Sequence, residues 1–264
     1  MSRSTRRPAA VFGLLAALAI VLGACSSAAS LPALTDPNEI ITAALKASEG
    51  AKSFHLEATL DGSVNVDLTG QDGPAPSLAL AGTKATADVD IAGKKAHATF
   101  TVPTFMSLTG DLIQIDQTTY VKTSLGGPLY EVQQATDSLP VDPTDTAGMF
   151  DDVGDFLSKD GVDPVKGDDV DCGGKQCYTV VIDLTADELS GLAGAAASEL
   201  PVDMAGASIA ATVRVEKDTY RLAGIKIVAS LGEQGSLTFD LALSKWDEAV
   251  DISAPPADQV KPAS

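Results

Sequence analysis

Apolar and polar residues alternate along much of this chain, and this pattern constrains the fold more than any other feature. Near the C-terminal end, Leu237, Phe239, Leu241 and Leu243 are separated by single residues that are polar or small. A repeat of two places successive side chains on opposite faces of a β-strand, so one face is buried and the other is wet. Similar runs joined by short turns predict a large antiparallel sheet.

The remaining elements complete an α+β prediction with helices against one face of the sheet. An Asp-Pro pair and an acidic first turn predict an opening helix from Asp36 to Gly50, and an Asp61-Gly62 pair predicts a hairpin turn. Further helices are predicted over 144–158 and 185–200. Strands are predicted over 53–60, 64–69, 78–91, 96–102, 111–116, 118–123, 129–133, 178–184, 207–216, 220–230 and 234–244.

The first residues have the pattern of a secretory leader. Three arginines precede an uncharged apolar run over 9–22, which is too short to be read as a membrane span. The following Leu22-Gly23-Ala24-Cys25 resembles a bacterial lipobox, which implies cleavage before Cys25 and attachment of a diacylglyceryl group and an N-acyl chain (palmitate in many lipoproteins) to that cysteine. An ordinary secretory signal with Cys25 as a spare thiol is the alternative.

Charge excludes one class of function. The 264-residue chain has 18 basic and 36 acidic side chains and a formal charge of −18. Loss of a 24-residue leader removes three arginines and no acid, which leaves −21 on 240 residues. A nucleic-acid binder needs a basic surface, so we expect no nucleic-acid partner.

The expected organisation has four parts. Residues 1–24 form the signal peptide, and 25–37 form a lipidated cysteine with a flexible, proline-punctuated tether. Residues 38–250 form a single domain, since no internal linker resembles the tether. Residues 251–264 form a proline-rich tail along the surface.

The cysteines fit an oxidising compartment. With Cys25 assigned to lipid, Cys172 and Cys177 remain as one pair, and a disulfide at the base of a hairpin is the predicted state. A redox-active pair normally has two intervening residues, whereas four separate these two.

The motifs of catalysis and metal binding are missing from the sequence. His55 and His97 fall at polar positions of strands, and neither a metalloprotease, a serine-hydrolase nor a phosphate-loop motif occurs. Acidic clusters such as 168–171 lack EF-hand spacing and are explained as helix caps and solvated turns, although calcium binding stays an alternative. We expect no enzyme activity, no metal and no cofactor.

Small side chains line the inward phase of the sheet, including Ala96 and Ala98. Two interpretations remain open: close packing of helices on the sheet, or an apolar cavity for a ligand with long hydrocarbon chains. On the second interpretation, the cavity lining also includes apolar residues of the two later helices: Phe150, Val153, Phe156, Leu157, Leu189 and Leu192.

Several segments resemble the mycobacterial-type LppX/LprG/LprA/LprF lipoproteins. They are the lipobox at 22–25, the segment 52–56 at the end of the opening helix, the segment 115–122, and the ending 245–256. This resemblance implies a sheet curved into a half-barrel with helices on its concave face. It also implies a hydrophobic cavity that binds acylated glycolipids or phospholipids for transfer towards the outer envelope.

The sequence therefore predicts an extracytoplasmic lipoprotein that is anchored to the outer face of the cell membrane and carries an acylated lipid. The expected partners are that lipid and the membrane itself, and the expected state is a monomer. The alternative is a non-catalytic interaction or sensor module with a packed core and an acidic binding surface.

Overall fold

The computed structural model describes residues 31–65, 77–104, 106–134, 162–185 and 207–262. The leader and Cys25 lie outside these ranges. So do the helices predicted over 144–158 and 185–200, except for Thr185, which is the last residue of a strand.

The predicted opening helix is present as α1, Pro37–Glu49. The Asp36 side chain accepts hydrogen bonds from the backbone N–H groups of Asn38 and Glu39, so it caps the first turn as expected. Proline at the first helical position fits because its missing N–H has no partner within a helix. The apolar stripe of α1 faces the sheet, and Ile40, Ile41 and Ala44 are its buried contacts.

The strands form one antiparallel sheet that is not closed. Its order is β7-β6-β5-β4-β3-β1-β13-β12-β11-β10-β8, with β2 paired to β1 and β9 paired to β10. The predicted class, α+β with a large antiparallel sheet forming a half-barrel, is confirmed. The described strands are β1 Ser53–Asn65, β2 Ser77–Ala79, β3 Thr83–Asp90, β4 Lys95–Val102, β5 Leu108–Ile115, β6 Thr118–Thr123, β7 Glu131–Gln134, β8 Val165–Lys166, β9 Val170–Asp171, β10 Gln176–Thr185, β11 Ser208–Glu216, β12 Leu222–Ser230 and β13 Gly235–Ser244.

The register keeps apolar side chains on one face from strand to strand. Leu56 of β1 lies opposite Leu243 of β13 on one side and Ala87 of β3 on the other, and Ala87 lies opposite Ala98 of β4. Because side chains alternate along every strand, all of these residues point to the same side. We call this side, on which α1 packs, the inner face; it is the concave side of the half-barrel.

The hairpin predicted at Asp61-Gly62 is wrong. Strand β1 runs without interruption through Gly62 to Asn65 and pairs with β13 along this length. Gly62 has a φ of 116°, and a Cβ placed on it would lie 2.1 Å from the carbonyl oxygen of Ser236. The glycine is therefore needed for a close approach of two backbones within the sheet rather than for a turn.

The C-terminal segment crosses the opposite face, which we call the outer face. The Asp247 N–H donates to the carbonyl oxygen of Ser53 (2.9 Å), and Tyr130 forms a parallel bridge with Val260. Between these points Ile252 packs with Ile113 and Tyr130 in a small buried cluster. Residues 246–262 thus extend from the end of β13 to the edge of the sheet near β7.

Candidate binding face on the sheet

The inner face has a covered part and an open part. In the covered part α1 seals a core in which Ile40, Val180 and Val215 are completely buried. Next to it, Phe54, Val89, Ala96 and Leu243 form a second buried cluster.

The open part of the inner face consists of apolar side chains that are only half-buried. They continue the same phase of the strands away from α1 and extend across most of the sheet. The residues are Ala58, Leu60, Ala85, Ala87, Ala98, Phe100, Leu112, Val121, Ile227 and Phe239. A monomeric protein rarely leaves a contiguous apolar surface of this kind partly accessible unless the surface binds something.

The two alanines predicted to line a cavity lie in different parts. Ala96 is 1% exposed and packs with Phe54 and Val89, so it belongs to the covered part. Ala98, one repeat further along β4, is half-buried and lies opposite Ala87 and Leu112 in the open part. The six other predicted lining residues, Phe150, Val153, Phe156, Leu157, Leu189 and Leu192, lie outside the described residues.

The larger apolar side chains of the open part were not among the predicted lining residues. Phe100, Leu112, Ile227 and Phe239 contribute more apolar surface than the alanines that were singled out. Their position in the alternating pattern was the signal that could have identified them.

The position of the Phe100 ring in the open part depends on a glycine in the neighbouring strand. Gly110 of β5 lies opposite Phe100 of β4, and a Cβ on Gly110 would be 2.0 Å from a carbon of the Phe100 ring. The ring therefore occupies the space that a side chain at position 110 would fill, and Gly110 is buried. A side chain at position 110 would lift the ring and change the depth of the open part.

The predicted disulfide between Cys172 and Cys177 is present, with 6.1 Å between the two Cα atoms. It joins the short β9–β10 pairing, in which Cys177 lies opposite Val170. Gly173 and Gly174 both have positive φ, which lets the four intervening residues turn tightly. The disulfide closes the hairpin from which β10 enters the covered part.

The two histidines lie on the outer face and are held by carboxylates. His55 Nδ1 is 2.7 Å from an oxygen of Asp88, and His97 Nε2 is 3.0 Å from an oxygen of Asp111. Across the described ranges, no three His, Cys, Asp or Glu side chains come together in a way that would hold a metal ion. Both histidines are thus side chains of the polar face, as their strand phase predicts.

Two carboxylates at the covered end have lowered pKa values. The Lys52 backbone N–H donates to Asp247 at 2.8 Å and Arg221 pairs with it, and these contacts hold the pKa of Asp247 below its ordinary value. A hydrogen bond from Lys217, supported by Lys166, likewise lowers the pKa of Asp169. These ionised groups tie the strand ends and turns around the covered part together.

Helices of a length and hydrophobicity suited to crossing a membrane do not occur in the described portion of the chain.

Comparisons with known proteins identify the fold. No family model matches the chain, and no curated protein matches it. The crystal structure of LprF from Mycobacterium bovis is 18% identical, with a TM-score of 0.53, and the match covers 83% of this chain and 96% of LprF. The Mycobacterium tuberculosis lipoprotein LppX is 19% identical, with a TM-score of 0.49, and the match covers 83% of this chain and all of LppX. The chain is therefore similar in fold to LprF, with the open half-barrel that the sequence predicts.

Proposed function

We propose that this chain is a non-catalytic lipoprotein of the mycobacterial LppX/LprF type. It is anchored outside the cell membrane through Cys25 and holds the acyl chains of a lipid against the open part of the inner face. The observation that carries the proposal is the continuous set of half-buried apolar side chains beyond α1. The similarity in fold to LprF supports the half-barrel architecture, which gives the sheet an inner face.

The mechanism is partition of hydrocarbon between a bilayer and the protein. Each methylene group that leaves water for an apolar surface contributes about 0.8 kcal/mol. The hydrocarbon interior of a bilayer offers the same gain in free energy. Transfer of a lipid out of a membrane therefore needs a protein surface that is large enough and excludes water as well as the bilayer does. Branched and aromatic side chains such as Ile227 and Phe239 supply area, and the alanines leave room for the acyl chains beside them.

The lipid headgroup remains at the polar boundary of the face. The threonine side chain of Thr123 ends the apolar row of β6 on the inner face. Hydroxyl groups at such positions hydrogen-bond to uncharged or charged headgroups, whereas hydrocarbon does not compete for them.

Native mass spectrometry of the purified protein tests the proposal. A lipid held by the inner face leaves the chain on denaturation, whereas an anchor on Cys25 stays attached, so the two are separated by mass. We expect a non-covalent lipid of one or a few acyl chains that organic extraction also recovers. If no lipid co-purifies and added phospholipid and acylated glycolipid do not bind, the proposal is wrong and a packed interaction module becomes the better explanation.

A further inference from the structure

Two neighbouring turns at one end of the sheet contain no charged residue. The β4–β5 turn and its flanks, residues 102–109, and the β6–β7 connection, residues 123–129, contain only apolar, hydroxyl, glycine and proline residues. We call these two segments the rim turns. In a chain with 36 acidic and 18 basic side chains, two adjacent uncharged turns stand apart from the rest of the surface.

Among the described residues, each rim turn presents a large apolar side chain to solvent. Met106 is 80% exposed and Leu125 is 62% exposed, which makes Met106 the most exposed large hydrophobic residue of the described part of the chain. Met106 and Ser107 both have a left-handed backbone, with φ values of 52° and 55°, and the Ser107 N–H donates to the carbonyl oxygen of Pro103. The turn is thus folded tightly under an outward-pointing methionine.

Hydrogen bonds join the two rim turns. The Thr109 N–H donates to the hydroxyl of Ser124 at 3.1 Å, and the Ser124 N–H donates to the carbonyl oxygen of Thr109 at 2.9 Å. The Gly126 N–H donates back to Thr123. The two apolar tips therefore belong to one fixed edge.

The turns at the other end of the same strands are charged. The β3–β4 turn contains Lys94, the β5–β6 turn contains Asp116, and the β11–β12 turn contains Lys217 and Asp218. Within β3 to β7 the charge is therefore distributed unevenly between the two ends of the strands, whereas further along the end with the rim turns the β12–β13 turn contains Glu233. Charged groups lose hydration when they approach an uncharged or apolar surface. The edge with the rim turns therefore approaches such a surface at a lower desolvation cost than the charged turns do.

A shallow groove of about 400 Å³ lies beside Leu125 on the outer face. Its lining combines Lys122 and Asp111 with the hydroxyl-bearing residues Thr99, Thr109 and Ser124. Lys122 Nζ is 3.9 Å from Asp111 and donates to the hydroxyl of Tyr130. The groove therefore has no net formal charge and is rich in hydroxyls, which suits a zwitterionic or sugar headgroup better than an anion.

From these observations we infer that the rim turns dock onto the surface of a lipid bilayer, with the side chains of Met106 and Leu125 inserted among the headgroups. A protein partner or a second copy fits less well, because a stable interface buries about 800 Å² on each side and two isolated side chains supply far less. A few inserted apolar side chains are enough for a reversible contact with a bilayer. This inference rests on the proposed function, since docking would give a membrane lipid a short path to the inner face.

Site-specific fluorescence tests the docking directly. Cys25 is expected to be acylated and Cys172–Cys177 is oxidised, so Leu125→Cys introduces the only free thiol. Val165→Cys is the matched control, because Val165 is also 62% exposed but lies at the opposite edge of the sheet. The full-length lipoprotein, labelled with a polarity-sensitive fluorophore, is reconstituted into phosphatidylcholine vesicles that contain brominated acyl chains. We expect a blue shift and quenching at position 125 and neither at position 165; equal signals at both positions would overturn the inference.

Transfer kinetics give the second test. With Met106→Asp and Leu125→Asp combined, we expect extraction of a fluorescent phospholipid from vesicles to slow by about tenfold for each lost side chain. Val165→Asp should leave the rate unchanged. An unchanged rate in the combined variant would contradict docking.

The same variants separate docking from lipid binding. A fluorescent fatty acid that is supplied as monomers in water bypasses the membrane contact, so the combined variant should bind it as tightly as the unsubstituted protein. If the unsubstituted protein also fails to bind the monomers, the proposed function fails, whereas the quenching at position 125 still reports whether the rim turns dock.

Discussion

The covered and open parts of the inner face use the same strands and the same alternating pattern, yet their side chains have different surroundings. Along β4, Ala96 is sealed beneath neighbouring side chains while Ala98 is half-buried only one repeat away. Ala96 is sealed because Phe54, Val89 and Leu243 pack around it, next to the core that α1 covers on β10, β11 and β12. One part thus holds the fold together, and the other offers an apolar surface to a ligand.

The largest expected effect separates the two parts by stability. Ile40→Ala removes a completely buried side chain from the covered part and should lower the free energy of unfolding by about 3–4 kcal/mol, because it leaves a cavity that α1 cannot close. Ile227→Ala in the open part should cost about 1 kcal/mol, because a half-buried side chain loses fewer contacts. Urea unfolding of both variants makes the comparison, and equal losses would mean that the open part is packed as tightly as the covered part.

The two alanines of β4 give a sharper comparison. Ala96→Phe inserts a ring into a sealed cluster and should lower the free energy of unfolding by up to about 3 kcal/mol. Ala98→Phe should fold with nearly unchanged stability but bind less lipid, because the ring occupies space that acyl chains use. Thermal unfolding measures the stability, and organic extraction measures the lipid content. A strongly destabilised Ala98→Phe variant with unchanged lipid content would contradict the assignment of Ala98 to the open part.

Loss of the disulfide should affect the covered part alone. Cys172→Ser combined with Cys177→Ser should lower the free energy of unfolding by about 2 kcal/mol, the chain-entropy value for so short a loop. Cys177 is completely buried near the start of β10, so the lost stability concerns strands that α1 covers. Lipid content at temperatures below the unfolding transition should stay the same, and native mass spectrometry measures it.

The smallest expected effect depends on pH. Asp247 joins the start of β1 to the end of β13, and its pKa is lowered because the Lys52 N–H and Arg221 stabilise the carboxylate. A lowered folded-state pKa gives stability that is present above the unfolded-state pKa and is lost as the pH falls through the folded-state value.

Asp247→Asn should therefore cost about 1 kcal/mol at pH 7, because a partly exposed charged contact is screened by solvent. The difference between variant and unsubstituted protein should shrink as the pH falls below about 4, the ordinary aspartate value in the unfolded chain, and through the lowered pKa of Asp247 in the folded protein. Urea midpoints at several pH values measure it. A difference that stays constant down to pH 2 would assign the effect to hydrogen-bond geometry rather than to charge.

Several long alternating strands were predicted well, but the single strand predicted over 78–91 is wrong, because a turn with Gly82 at a φ of 80° divides it into β2 and β3. The predicted strand 118–123 matches β6, and the predicted 207–216 and 234–244 differ from β11 and β13 by one residue at the start. The Asp61-Gly62 hairpin failed because the same dipeptide that favours a tight turn also permits a strand to pass close to its neighbour. Local sequence does not distinguish these two uses of glycine, since the deciding atom is the carbonyl oxygen of Ser236, far away in the chain.

By itself, the sequence determined the period of two, the capped opening helix, the disulfide pair and therefore the class of fold. These depend on residues that are neighbours along the chain, and their physical chemistry can be read locally. Only the tertiary structure decided which apolar residues are sealed and which stay accessible. Ala96 and Ala98 are identical in type and phase, but the side chains of Phe54, Val89 and Leu243, brought together by strand pairing, make Ala96 a core residue, whereas Ala98 stays on the open face.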